Sequence, residues 1–374
     1  MESKQKLFDM NTGFPVKPES EAIWYRGICN KTEIDRILKP KNGRDLLLQR
    51  RADIIADQVR FTRLYTHKSQ QEGWNFENSF KTRHYEQFID NLSEEYQNRC
   101  KLISYGDIFS DDLNGFCEKN EYFGTIIYLN ESLRYFQYFM FLALYPFDYD
   151  IPVSVQVASL RIAIRILLKK EAMDFEMDPR GIVPKELDIT IRAYVEEMMQ
   201  YIAGHEFSHY LCNHLKDSSI RAFFTGYDDK KYESEIFNID QRQEFEADLK
   251  SLELPNYTEE KYRIQFLSAL FWFIFLDIGE YASEIINPSI RRIRTHPSAN
   301  DRIVNIRDNA SPPKFEENDK KVIDYLLEYS EYIKKFLEED MSVSMELYET
   351  YGSVYLADPD TKWRGRELVD RVDY

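Results

Sequence analysis

From Ala193 to Leu215 the chain carries no proline and a single glycine, with bulky apolar side chains at Val195, Met198, Met199, Ile202 and Leu211. That spacing predicts one long, largely buried helix, which requires a body of chain large enough to enclose it. A sequence of 374 residues supplies that body and fits two to three domains of about 150 residues each. Inside the same helix lies His205-Glu206-Phe207-Ser208-His209. Histidines at i and i+4 project from one helical face, so both imidazoles can reach a single zinc ion. Glu206 stands about 100° further round, where its carboxylate can serve a metal-bound water as general base and pass the proton to a leaving amine.

Composition narrows the partners. Asp and Glu number 65 against 49 Lys and Arg, a formal charge of -16, which disfavours a broad grip on nucleic acid. Cys29, Cys100, Cys117 and Cys212 show no CxxC pair, so zinc must find other ligands, and unpaired thiols suit a reducing cytoplasm. The N-terminus lacks the apolar stretch of a secretory signal. The apolar run Phe266 to Leu276 is shorter than the roughly 20 residues that span a bilayer, so it reads as a buried core helix, as does Tyr135 to Phe147. No membrane span is expected.

Around the central helix the pattern predicts a mostly helical fold of the α+β class. Asp45 to Leu64 and Tyr85 to Tyr96 have helical spacing, with a polar loop at Thr66 to Asn78 between them. Gly124 to Asn130 is the best strand candidate, and Asp188 to Arg192 reads as either strand or helix. Lys216 to Asp240 is polar and reads as a long exposed loop. After Pro312 and Pro313, Val322, Leu326, Tyr329, Ile333 and Phe336 share a helical face that would pack back on the body. The division expected is a helical region over 1–110, a core with a small sheet over 111–312 and a helical extension over 313–374.

A catalytic zinc needs a third protein ligand and an open position. A third histidine at i+10 is excluded, since Leu occupies 215, and His214 reads as a helix-end residue at the negative dipole terminus. Glu244-Phe-Glu-Ala-Asp248 follows, with Glu244 and Asp248 on one face and Glu246 pointing away. Glu244 completes a His, His, Glu set; Asp248 is placed to bond the outer nitrogen of a zinc histidine. Ala247 leaves room for a tight helix crossing. Later, Thr295-His296-Pro297-Ser298 and Arg302 admit two readings: His296 and Arg302 stabilise an oxyanion beside the zinc, or Pro297 and Ser298 simply start a helix.

HEFSH, then EFEAD, then THPSANDRI, in that order, resembles the gluzincin metallopeptidases of the CAAX prenyl protease and HtpX type, over Glu196 to Ile303. The resemblance implies a zincin-like core with His205, His209 and Glu244 as zinc ligands and Glu206 as catalytic base. It implies Asp248 as a supporting residue, and His296 and Arg302 as active-site supports. It also makes Gly124 to Leu129 look like a substrate-binding edge strand, although about 70 residues separate it from HExxH. The HExxH motif alone is similar to the Lit-type phage-exclusion peptidases. The expected function is a soluble, cytoplasmic zinc endopeptidase that binds one zinc ion and a protein or peptide substrate. Two alternatives stay open: an inert, metal-stabilised interaction module and a Lit-like regulated protease in phage defence.

Overall fold

A computed structural model of the chain describes residues 7–8, 15–57, 59–120, 123–144, 150–215, 219–222, 241–286, 297–356 and 368–369. Near the N-terminus a short antiparallel pair, β1 (Leu7–Phe8) and β2 (Pro15–Val16), precedes six helices. These are α1 (Ala22–Tyr25), α2 (Lys31–Leu38), α3 (Gly43–Asp57), α4 (Val59–Ser69), α5 (Arg83–Asp90) and α6 (Glu94–Cys100). The helical expectation for this region is met, but α4 runs through Thr66 to Ser69, which shortens the polar loop from its start.

A sheet follows. β3 (Ile103–Tyr105), β4 (Gly115–Asn120), β5 (Gly124–Leu129) and β6 (Ser219–Ala222) lie in the order β3-β5-β4-β6. β5 is the strand read from sequence, buried from Thr125 onward, as its run of Ile, Ile, Tyr and Leu demands. It is not an edge strand: β3 pairs with one side in parallel and β4 with the other in antiparallel register. The likeness to a substrate-binding edge strand therefore fails for β5. β6 comes from within the segment expected to be an exposed loop, and it covers the outer side of β4, Phe116 opposite Ala222.

The remaining helices form the bulk of the molecule. They are α7 (Ser132–Leu144), α8 (Val153–Leu167), α9 (Lys185–Leu211), α10 (Gln241–Glu253), α11 (Glu259–Ile286), α12 (Ala299–Asn309) and α13 (Glu317–Glu349), followed by the pair β7 (Ser353–Val354) and β8 (Leu368–Val369). Asp188 to Arg192, ambiguous by sequence, lies inside α9. α9 ends at Leu211 rather than Leu215, a difference that bears on the site described below. α13 lies along α11; of the face read from its spacing Leu326 and Ile333 are buried and Val322, Tyr329 and Phe336 partly so, with Leu337 buried beside them.

One apolar cluster runs from Tyr25 to Leu356 and takes residues from all three of the expected segments. Its aromatic content is visible in Phe136, Phe141, Phe271, Trp272 and Phe275, where α7 meets α11 edge to face. Among the described residues one helix, α11, is long and apolar enough to cross a membrane, and 72% of its apolar window is buried inside the molecule. That is the environment of a core helix.

Two buried charged groups brace this core. Asp107 accepts hydrogen bonds from Tyr85 Oη and Arg134 Nε at 2.9 Å each, while Arg134 Nη2 and Asp107 Oδ1 lie 2.9 Å from the two ring nitrogens of His84. Glu171 accepts from Arg165 Nε and Arg180 Nε at 2.8 Å each, and all three side chains are fully buried. The backbone N–H of Val354 also reaches Glu171, which ties the C-terminal strand to the body.

Candidate metal centre

α9 and α10 cross tightly because small residues stand at the crossing. A Cβ on Gly204 would lie 2.6 Å from Phe88 and 3.3 Å from Cβ of Ser251, so glycine is what lets α5 and α10 press onto α9 one residue before His205. Ala247 on α10, read from sequence as leaving room for a tight crossing, is fully buried. The consequence is that residues 35 positions apart in sequence, His209 and Glu244, become neighbours.

Nε2 of His205 and Nε2 of His209 are 3.0 Å apart, and each lies 3.4 Å from an oxygen of Glu244. All three residues are at most 1% exposed. Donors at 2.0–2.1 Å from a tetrahedral ion stand about 3.3 Å from one another, so this triangle has the dimensions of three corners of a zinc site. Two imidazole nitrogens with one carboxylate are also the donor chemistry that suits zinc. The residues thus fit the metal that the sequence implies.

Glu206, fully buried, faces the start of β4. A Cβ on Gly115 would lie 3.0 Å from Glu206 Oε1 and 2.6 Å from Leu129 Cδ2, so only a glycine lets the strand come this close to the carboxylate. Gly115 was not singled out from sequence, because nothing in the sequence links a glycine in an unrecognised short strand to a helix about 90 residues away.

Behind this triangle lies a further layer of buried contacts. Nδ1 of His205 is 2.9 Å from Oδ1 of Asp248, which leaves Nε2 facing His209 and Glu244. Asp248 accepts from Arg302 Nε at 2.8 Å, from a second Arg302 nitrogen and from Tyr201 Oη at 3.3 Å. Arg302 also stacks over Phe273, 4.4 Å from the ring centre. Burial alone would raise the Asp248 pKa, but Arg302 and His205 hold it below its ordinary value. Burial pulls the other way on His205, and there the hydrogen bonds to Asp248 and Glu244 win, raising its pKa to about 9 without metal.

Of the two readings of the later motif, Ser298 does start a helix: it is the N-cap of α12, its hydroxyl accepting from the Asp301 N–H. Arg302 commits two guanidinium nitrogens to the Asp248 carboxylate, and Nη2 also lies 3.4 Å from Nδ1 of His205, behind that ring, which is a different placement from the oxyanion donor expected. His296 lies outside the described residues.

His214 stands at the end of α9, as its sequence reading has it, but its ring also reaches the site. Cys212 caps α9, Asn213 takes the left-handed conformation (φ 59°), and the chain turns back. The N–H of His214 bonds the carbonyl of His209 at 2.9 Å and that of Asn213 bonds the carbonyl of Tyr210 at 3.1 Å, a Schellman ending. The turn brings Nδ1 of His214 to 3.1 Å from Nδ1 of His209, and Nε2 of His214 to 3.2 Å from Oε2 of Glu246. Cys212, His214 and Glu246 also form a second group able to hold an ion by proximity alone. Set beside family profiles, curated proteins and solved structures, the chain matches none of them.

Proposed function

We propose that the chain is a zinc-dependent endopeptidase, with His205, His209 and Glu244 holding the metal. The observation that carries this reading is the buried triangle of donors, 3.0 and 3.4 Å on its sides, with a further buried carboxylate on the residue next to a ligand. Zinc bound by these three residues would supply Lewis acidity toward a carbonyl and a water. Glu206 supplies the proton handling: its carboxylate takes a proton from the attacking water and delivers it to the nitrogen of the departing amine. Asp248 keeps the proton of His205 on Nδ1, and Arg302 keeps Asp248 ionised while it does so. A protein or peptide is the substrate class, and four cysteines outside any disulfide suit a reducing compartment.

The test is metal content and cleavage measured on the same preparations. Wild type should hold about one zinc per chain, and His205→Ala and Glu244→Ala should lose it. Glu206→Gln should keep the metal while cleavage of a mixture of unstructured peptides falls by a factor of about 10² to 10⁴. A metal-free wild type after zinc reconstitution, or Glu244→Ala with full occupancy, refutes the site. Full zinc with no cleavage of any peptide, and no difference between wild type and Glu206→Gln, refutes the enzyme and leaves a metal-stabilised binding module.

A further inference from the structure

We infer that His214 and Glu246 are the outer support of the ligand His209, so that α10 holds both metal histidines: His205 through Asp248 and His209 through Glu246 and His214. The inference rests on the zinc reading of His205, His209 and Glu244 and adds two positioning residues to it.

The argument is one of proton placement. His209 turns Nε2 toward His205 and Glu244. A neutral imidazole that gives its Nε2 lone pair to an ion carries its proton on Nδ1. That Nδ1 lies 3.1 Å from Nδ1 of His214, and two nitrogens at this distance share one hydrogen. His214 therefore accepts at Nδ1, and its own proton sits on Nε2, 3.2 Å from Oε2 of Glu246. Donation runs outward in one direction, from His209 to His214 to Glu246, and every ring along it is neutral.

The same placement decides what the group Cys212, His214 and Glu246 does. For His214 to ligate a second ion through Nε2, its proton would have to move to Nδ1, facing the N–H of His209 across 3.1 Å. Two hydrogens cannot occupy that gap. With the inner ion in place, the outer group is a support and not a second metal site.

Burial and backbone agree with this role. The side chain of His214 is 4% exposed, whereas that of Glu246 is 50% exposed, so the support starts at a buried ligand and ends at the surface. The Schellman turn pins His214 to His209 through the backbone, so the ring pairing costs little additional ordering. Glu246 would otherwise be an ordinary surface acid on an acidic protein, with no reason to influence a buried ion.

The experiment is zinc affinity by chelator competition on the full chain, for wild type, His214→Ala, His214→Asn, Glu246→Gln, Cys212→Ser and His205→Ala. His214→Ala should bind zinc about 10- to 100-fold more weakly, the usual cost of removing such a partner. His214→Asn places an acceptor oxygen where Nδ1 stood and should recover most of that loss, which a general folding defect would not allow. Glu246→Gln should show a smaller loss in the same direction, and Cys212→Ser should match wild type. Wild-type affinity in His214→Ala overturns the inference, as does a second bound ion that Cys212→Ser loses, or a thiolate absorption band in the cobalt-substituted protein. If wild type binds no zinc, or His205→Ala retains it, the three-ligand centre falls and this inference falls with it; loss in His205→Ala alone overturns only the support.

Discussion

Oδ1 of Asp248 lies 2.9 Å from Nδ1 of His205, and the same carboxylate takes two guanidinium nitrogens of Arg302. Three fully buried side chains are thereby arranged so that one negative charge answers one positive charge and orients one ring. Asp248→Asn preserves the shape but leaves Arg302 without its counter-charge. Breaking a buried pair in this way costs about 3–5 kcal/mol, so the variant should unfold at markedly lower denaturant, and its zinc affinity should drop about 10- to 100-fold. Denaturant titration and chelator competition on the same sample check both.

Gly115→Ala separates chemistry from metal binding. The added methyl meets Leu129 and Oε1 of Glu206, and none of the ligand residues is among its nearest neighbours. We expect zinc content to match wild type and cleavage to fall, with a stability loss of about 1–3 kcal/mol from overpacking. Loss of zinc together with activity would mean that β4 supports the ligands themselves.

The pH dependence of stability above neutrality should depend on metal. Without metal, His205 carries a folded pKa near 9, because hydrogen bonds to Asp248 and Glu244 outweigh burial. Its stabilisation is complete below the unfolded value of about 6.5 and is lost as pH rises through the folded one. His84 behaves oppositely: burial, with Arg134 against the ring, depresses its pKa, so its contribution is present above about 6.5 and lost on acidification. Chelated protein should therefore melt highest near pH 6.5, and His205→Gln should flatten the alkaline side. Zinc-loaded protein should lack the alkaline loss and fall more steeply on acidification, as protons displace the ion from the histidines.

Glu171→Ala tests the scaffold apart from the site. Two buried guanidinium groups, Arg165 and Arg180, lose their shared carboxylate, and the Val354 N–H loses an acceptor. Destabilisation of about 3–5 kcal/mol should follow with zinc affinity unchanged once the protein is folded.

The centre was legible because helical geometry converts short spacings into faces: His205 with His209, and Glu244 with Asp248, needed only the i, i+4 rule. The crossing that joins them was hinted at by Ala247, while Gly204 passed unremarked. Strands β3 and β4 were missed because they are short, and Gly115–Asn120 mixes apolar with charged residues and lacks a β-branched run. The position of β5 inside the sheet could not be read, since pairing order is a long-range property that no local pattern carries. The ring contacts of His214 were hidden for a different reason. The helix ends before it, and the turn at Asn213 carries it to a side that the helical rule does not reach.

The histidines belong to α9, while the carboxylate that completes their set belongs to α10. An ion bound by all three is a strut between two helices, closing a long excursion of chain through a single atom. Occupancy and the seating of α10 then become one equilibrium, and the amide protons of Gln241–Glu253 should exchange with solvent at a rate that reports how much metal is bound.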